Sequence, residues 1–223
     1  FHHPWQHGVQ TGYHGVNGCD FWFDPGQVSG SRIGTIEPRT TQIEEIEPPQ
    51  WSIETLWRDD GGVGLLRENQ IWKLTGHDGL LYLDLEWMVQ AMLRNVHIEK
   101  STYGGLFIRM PFRRDRPCRV VNSAGQEEDD TEQSPAAWVH LEMTVNEGDL
   151  TAGIAVLDHP DNPRHPAHWR GDSQRGINPS PCIPAAIDLA ADAKMVHRYR
   201  LILHSGTLVS QEVEGHWQRY AHS

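Results

Sequence analysis

Apolar and polar side chains alternate through the middle of the chain. Between residues 80 and 92, Leu81, Leu83, Leu85 and Trp87 alternate with Tyr82, Asp84 and Glu86, the period-2 pattern of a strand with two unlike faces. Residues 64–75 form a second long extended run. The Gly76-His77-Asp78-Gly79 segment between the two has the length and residue types of a hairpin turn. Residues 51–58 also alternate and end at the turn Asp59-Asp60-Gly61-Gly62. Further strands are predicted at 96–98, 106–110, 119–121, 136–144, 151–157 and 196–204. Short strands separated by polar turns predict an all-β fold: a large antiparallel β-sandwich, supersandwich-like in its strand number.

Other stretches read differently. Residues 208–221 carry Leu208, Val209, Val213, Trp217 and Tyr220 at helical spacing without proline, which predicts a C-terminal amphipathic helix packed on the sandwich. Residues 1–24 read as loop and short strand. Residues 25–50 are rich in Gly and Pro, then acidic, and predict a short strand at 33–36 among exposed edges. Residues 126–134 form a solvated acidic loop without the ligand spacing of an EF-hand. The whole of 1–223 reads as a single domain, and the polar chemistry at its start leads us to expect further strands before Phe1.

Composition narrows the function classes. A formal charge of −11 and a pI near 5.6 argue against nucleic acid, which needs clustered Lys and Arg. No apolar run approaches the ~18 residues that cross a bilayer, so a soluble cytoplasmic or periplasmic protein without a membrane partner is expected. Cys19, Cys118 and Cys182 are odd in number and widely spaced, neither a disulfide framework nor a metal-binding Cys pattern. Nine Trp against five Phe is unusual, and Trp is common where flat ligands stack.

The densest chemistry lies in Leu157–Arg170, where fourteen residues hold three His, two Asp, two Arg, one Asn, one Trp and three Pro. Proline removes N–H donors and biases its predecessor toward extended backbone, which predicts a stiff loop leaving the 151–157 strand. A plain connection needs only a few residues with turn chemistry and has no use for so much imidazole. A second cluster, His3-Pro4-Trp5-Gln6-His7-Gly8 followed by His14 to Trp22, opens the chain.

Four stretches together resemble a family: HPWQHG (3–8), VNGCDFW (16–22), KSTYGGLFIRMPFR (100–113) with VVNSAGQ (120–126), and AAW (136–138) with GIAVLDHPDNPRHPAHWR (153–170). The chain is similar to the soluble bacterial "methane oxygenase PmoA" family over residues 1 to about 205. The resemblance implies a β-sandwich and, from the sugar oxidoreductases and carbohydrate-degrading genes beside which members occur, a role with glycosides or keto-sugars. The membrane subunit whose name the family borrows has no counterpart in a chain without a membrane segment. Members usually carry extra strands before the first His motif, and an acidic residue where His2 stands here.

If the polar clusters converge, they compose one site. His3 and His159 would act as acid and base, with Asp158 fixing a tautomer and Lys100 and Arg109 facing developing oxyanions. Trp5, Trp22 and Trp169 would stack on a sugar ring, while His7, His14, Asn17, Asn122, Asn162, Arg164 and His165 would meet its hydroxyls. The expected function is acid/base chemistry on a carbohydrate: hydrolysis, elimination or epimerisation. The alternatives are a divalent-metal enzyme using His3, His7, His159 and His165, the metal being the one cofactor suggested, and a non-catalytic sugar-binding module. The oligomeric state is not expressed in the sequence.

Overall fold

The strongest local signal is met first. Gly64–His77 and Leu80–Ala91 pair antiparallel across the predicted turn, from His77 opposite Leu80 to Leu66 opposite Ala91. Asp78 and Gly79 both take positive φ there, 53° and 77°, the backbone that a two-residue hairpin turn demands. The computed structural model describes residues 8–23, 30–44, 46–145, 150–171 and 174–223. In chain order the strands are β1 (Gly8–Tyr13), β2 (Thr35–Glu44), β3 (Gln50–Arg58), β4 (Gly64–His77), β5 (Leu80–Ala91), β6 (Val96–Ile98), β7 (Gly104–Arg109), β8 (Cys118–Asn122), β9 (Trp138–Val145), β10 (Leu150–Asp158), β11 (His168–Gly171), β12 (Gly176–Ser180), β13 (Ile187–Leu189) and β14 (Lys194–Ser205), followed by helix α1 (Ser210–Ala221).

An eight-stranded sheet of order β2-β3-β4-β5-β14-β10-β9-β8 faces a four-stranded sheet of order β1-β7-β12-β11, and β13 pairs with β6 beside them. Every pairing between named strands is antiparallel, and the fold is an all-β sandwich. Alternation assigns the faces. Tyr13, Leu106, Ile108 and Trp169 of the small sheet pack against Trp57, Trp72, Trp87, Tyr199 and Val156 of the large one in the main core. On the outer face of the large sheet, Tyr82, Trp138, Leu157 and Ile202 pack with Leu208, Val213 and Tyr220. That second cluster explains the helical spacing at the C-terminus: α1 packs its apolar side on part of the outer face. Val209 N donates to Glu212 Oε2 at 3.0 Å at the helix start.

Three parts of the expected layout change. The short strand at 33–36 is the beginning of a ten-residue edge strand, β2, whose register shifts between Pro38 and Thr40. Proline and an irregularity are tolerated there because one edge of β2 needs no partner. The His-rich stretch is a loop only as far as Ala167. His168–Gly171 forms β11, the edge of the small sheet, followed by the unpredicted β12 and β13. Among the described residues, no helix is long and apolar enough to cross a membrane.

Candidate functional site

Asp158 is the centre of the 158–167 loop. It ends β10 on the inner side and is buried. Its Oδ1 accepts from Asn162 Nδ2 at 2.7 Å, and its Oδ2 accepts from the Ala167 N–H at 2.9 Å and lies 2.6 Å from His165 Nδ1. A carboxylate only accepts, so His165 donates from Nδ1 to Asp158. The His165 ring is about one-fifth exposed (19%) and stacks on Trp217 of α1, centroids 6.1 Å apart and planes 5° from parallel. Trp217 Nε1 in turn donates to the Asp158 carbonyl at 2.9 Å. Asn162 completes the fixture by exchanging two bonds with the Arg198 backbone, at 2.7 and 2.6 Å. The loop is a rigid mount for one imidazole.

Its neighbours are committed to the mount. His159 is buried against Tyr220, its Nδ1 accepts the Asp161 N–H at 3.1 Å, and burial pushes its pKa down. Arg164, at φ 66°, donates to the carbonyls of Pro181, Ala185 and Ala186 at 2.5, 2.5 and 2.6 Å. It holds the 181–186 segment where substrate contact had been expected. Trp169 points into the core and donates to Ala136 O at 2.8 Å. Asn122 closes the turn after β8, accepting from the Ala124 and Gln126 N–H groups. Asn17, at φ 48°, ties its loop to His97 and Asn95.

A second group occupies the outer face of the small sheet. Gly8, Arg109 and Gly176 share one row across β1, β7 and β12. Gly176 has no Cβ because one would come within 2.6 Å of the Phe107 ring and 3.0 Å of Arg109 Nη2. Phe107 meets Trp22 edge-on, Arg109 lies 5.0 Å from the Phe107 ring centroid, and Arg170 lies 4.4 Å from that of Tyr103. His14 sits 3.3 Å from buried Asp20, which raises its pKa against the opposing effect of burial. Lys100 is exposed at the start of the following loop. Arg109 and Trp22 therefore belong to the small sheet's outer face, while His159 lies under α1 beside the large sheet. His3, Trp5 and His7 lie outside the described residues. Of the proposed metal ligands, His159 and His165 belong to no group of three metal-ligating side chains among the described residues.

The third group was not anticipated. Between the sheets, the buried Glu68 carboxylate on β4 receives five side-chain donors. Oε1 accepts from Thr11 Oγ1 at 2.8 Å, Gln70 Nε2 at 2.8 Å and Trp87 Nε1 at 2.7 Å. Oε2 accepts from Trp57 Nε1 at 2.9 Å and, over a very short contact, from Thr55 Oγ1. Thr11 and Gln70 also line a cleft of about 440 Å³ with Val9, Gln10, Trp51, Ile53, Trp72 and Leu83. Trp51 and Trp72 are direct cross-strand partners on β3 and β4, their rings 6.2 Å apart and 12° from parallel. Trp72 Nε1 donates to Gln70 Oε1 at 2.9 Å, so the tryptophan wall, the amide and the buried carboxylate form one hydrogen-bonded unit. The sequence did carry a signal. Glu68 and Gln70 fall in phase with Leu66 and Trp72, which puts a carboxylate and an amide on an apolar strand face.

The sequence pattern of a family of unknown function, DUF6807, matches residues 1–218. The chain belongs to that family. Comparison with curated proteins gives no match. Among solved structures, it is similar to the galactosidase domain of the alpha-galactosidase-sucrose kinase AgaSK (9% identity, TM-score 0.41, covering 79% of this chain and 28% of that one). It is also similar to two GH36 alpha-galactosidases of Geobacillus stearothermophilus. These are AgaA in complex with raffinose (9%, TM-score 0.45, 81% and 29%) and AgaB (8%, TM-score 0.44, 89% and 29%). The DUF6807 chain thus spans less than a third of each of these proteins.

Proposed function

We propose that this DUF6807 protein is a carbohydrate-active protein that binds its sugar in the cleft between the two sheets. The carrying observation is the pairing of the Trp51–Trp72 wall with the Gln70–Glu68–Thr11 network. An indole face covers the apolar side of a pyranose. Gln70 and Thr11 offer a planar amide and a hydroxyl for ring hydroxyls. Glu68 holds Gln70 and Thr11 in place from behind, so little side-chain freedom is lost when a ligand binds. A cleft of about 440 Å³ falls within the ~300–1,000 Å³ of small-ligand sites. The first test is a panel of mono- and oligosaccharides, including 3-keto glycosides, followed by quenching of tryptophan fluorescence and by product analysis. The reading expects at least one saturable ligand; silence across the panel would refute it.

The Asp158–His165 pair favours a second reading, acid/base catalysis on the carbohydrate. A buried carboxylate that fixes the tautomer of a partly exposed imidazole is the arrangement of a general base. On this reading His165, which had been expected only to bind substrate or metal, exchanges the proton, and His159 serves the loop. Turnover of a panel sugar that disappears in His165→Gln and persists in His159→Gln supports this assignment. The reverse pattern, or turnover unaffected by His165→Gln, refutes it.

A further inference from the structure

On the outer face of the large sheet, Glu142 of β9, Gly153 of β10 and His204 of β14 form one cross-strand row. Gly153 leaves the middle of that row without a side chain, and a Cβ there would lie 2.3 Å from His204 Nε2. His140 stands two residues before Glu142 on the same strand face. The three side chains therefore lean toward a common point above Gly153. His140 Nε2 and His204 Nε2 are 2.9 Å apart, and His140 Nε2 and Glu142 Oε1 are 3.7 Å apart. One ligand atom from each of the three lies within 4.8 Å of the others, and all three residues are buried.

The second contacts suit metal binding. His204 Nδ1 lies 3.1 Å from the Gly206 carbonyl, which only accepts. His204 therefore donates from Nδ1 and turns Nε2 to the cluster, where its 2.9 Å contact with His140 Nε2 is a hydrogen bond that a bound ion would replace. Glu142 Oε1 also accepts the Leu208 N–H at 2.8 Å, which fixes the carboxylate. A separation of 2.9 Å corresponds to a ligand angle of about 90° at an ion ~2.1 Å from both nitrogens. Glu142 and Thr207 also line a surface cleft of about 220 Å³, an access route to the cluster.

We infer that His140, Glu142 and His204 form a binding site for a divalent first-row transition ion, with two imidazoles and one carboxylate as protein ligands and further positions left to water or substrate. Zinc and iron(II) both accept this donor set. The site joins β9, β14 and the segment leading into α1, at a place separate from the sugar cleft. Its binding does not depend on the carbohydrate reading.

The test uses the untagged full chain carrying His2→Gln, His3→Gln and His7→Gln, which removes competing N-terminal imidazoles. After chelator treatment this protein is titrated calorimetrically with Zn²⁺ and with Co²⁺. Stoichiometric, saturable binding is expected, with a rise in Tm and a cobalt visible spectrum. Adding His140→Gln or His204→Gln should weaken binding at least tenfold. Absence of stoichiometric binding, or binding unchanged by either added substitution, overturns the proposal. X-ray absorption of the zinc-loaded protein needs no substitution at the site itself. Two imidazoles in the zinc shell support the assignment, and fewer than two overturn it.

Discussion

The Trp87 indole N–H donates to the Glu68 carboxylate at 2.7 Å in the core between the two sheets. Trp57 reaches the other oxygen at 2.9 Å, so two indoles of the main core end on one carboxylate. Replacing Glu68 by Ala leaves these donors buried and unpaired, and each such group costs ~1–3 kcal/mol. Glu68→Ala should lower stability by about 4 kcal/mol. Glu68→Gln, which keeps the shape but cannot accept on both sides, should lower it by about 2 kcal/mol. Urea unfolding checks both through a fall in midpoint at unchanged slope.

His197 should make the fold labile to acid. It lies buried between the Trp87 and Tyr199 rings, with both ring nitrogens lacking a hydrogen-bond partner among the described residues. Burial pushes its pKa down to about 4, against an ordinary value of 6.5. The unfolded chain therefore binds the proton more readily than the folded one between these values. Stability from this group is complete above about pH 6.5 and lost as pH falls toward 4, amounting to about 3 kcal/mol. His197→Phe keeps the ring and removes the titration. It should change stability at pH 7 by no more than ~1 kcal/mol and gain about 2 kcal/mol over wild type at pH 5. Chemical unfolding at the two pH values checks this, and parallel pH dependence in both proteins would exclude His197 as the source.

Arg164 sets up a different experiment, because its three carbonyl acceptors all lie in the 181–186 segment. Arg164→Ala should cost about 2 kcal/mol and raise hydrogen exchange locally in that segment. Arg164→Lys should rescue little, since a single ammonium cannot reproduce the planar fork. Exchange mass spectrometry resolves the effect by segment.

The β4–β5 hairpin was legible in the sequence because its information is local: two alternating runs and a turn whose residues tolerate positive φ. Helix α1 was legible for the same reason. Strands β11, β12 and β13 were not, because they are short, and Pro179, Pro181 and Pro184 surround their connections. Their strand character comes from partners distant in the chain. The 158–167 loop was recognisable as unusual, and Asp158 as a group that could fix an imidazole. Which imidazole it fixes depends on Asn162 meeting the Arg198 backbone and on Trp217 arriving from α1, contacts that no spacing encodes. Glu68 and Gln70 stand out in the sequence as polar residues on an apolar strand face, but Thr11 and Trp87, which donate to Glu68, come from other strands and no spacing encodes them.

The most direct test of the sugar cleft is a calorimetric titration of the best panel ligand into wild type, Trp51→Ala, Gln70→Ala and His165→Gln. Stacking and one well-placed amide each contribute ~1–2 kcal/mol, so Trp51→Ala and Gln70→Ala should each weaken binding about tenfold or more. His165→Gln should leave the affinity within about threefold of wild type. Affinity unchanged by Trp51→Ala and Gln70→Ala would contradict a sugar site between the sheets.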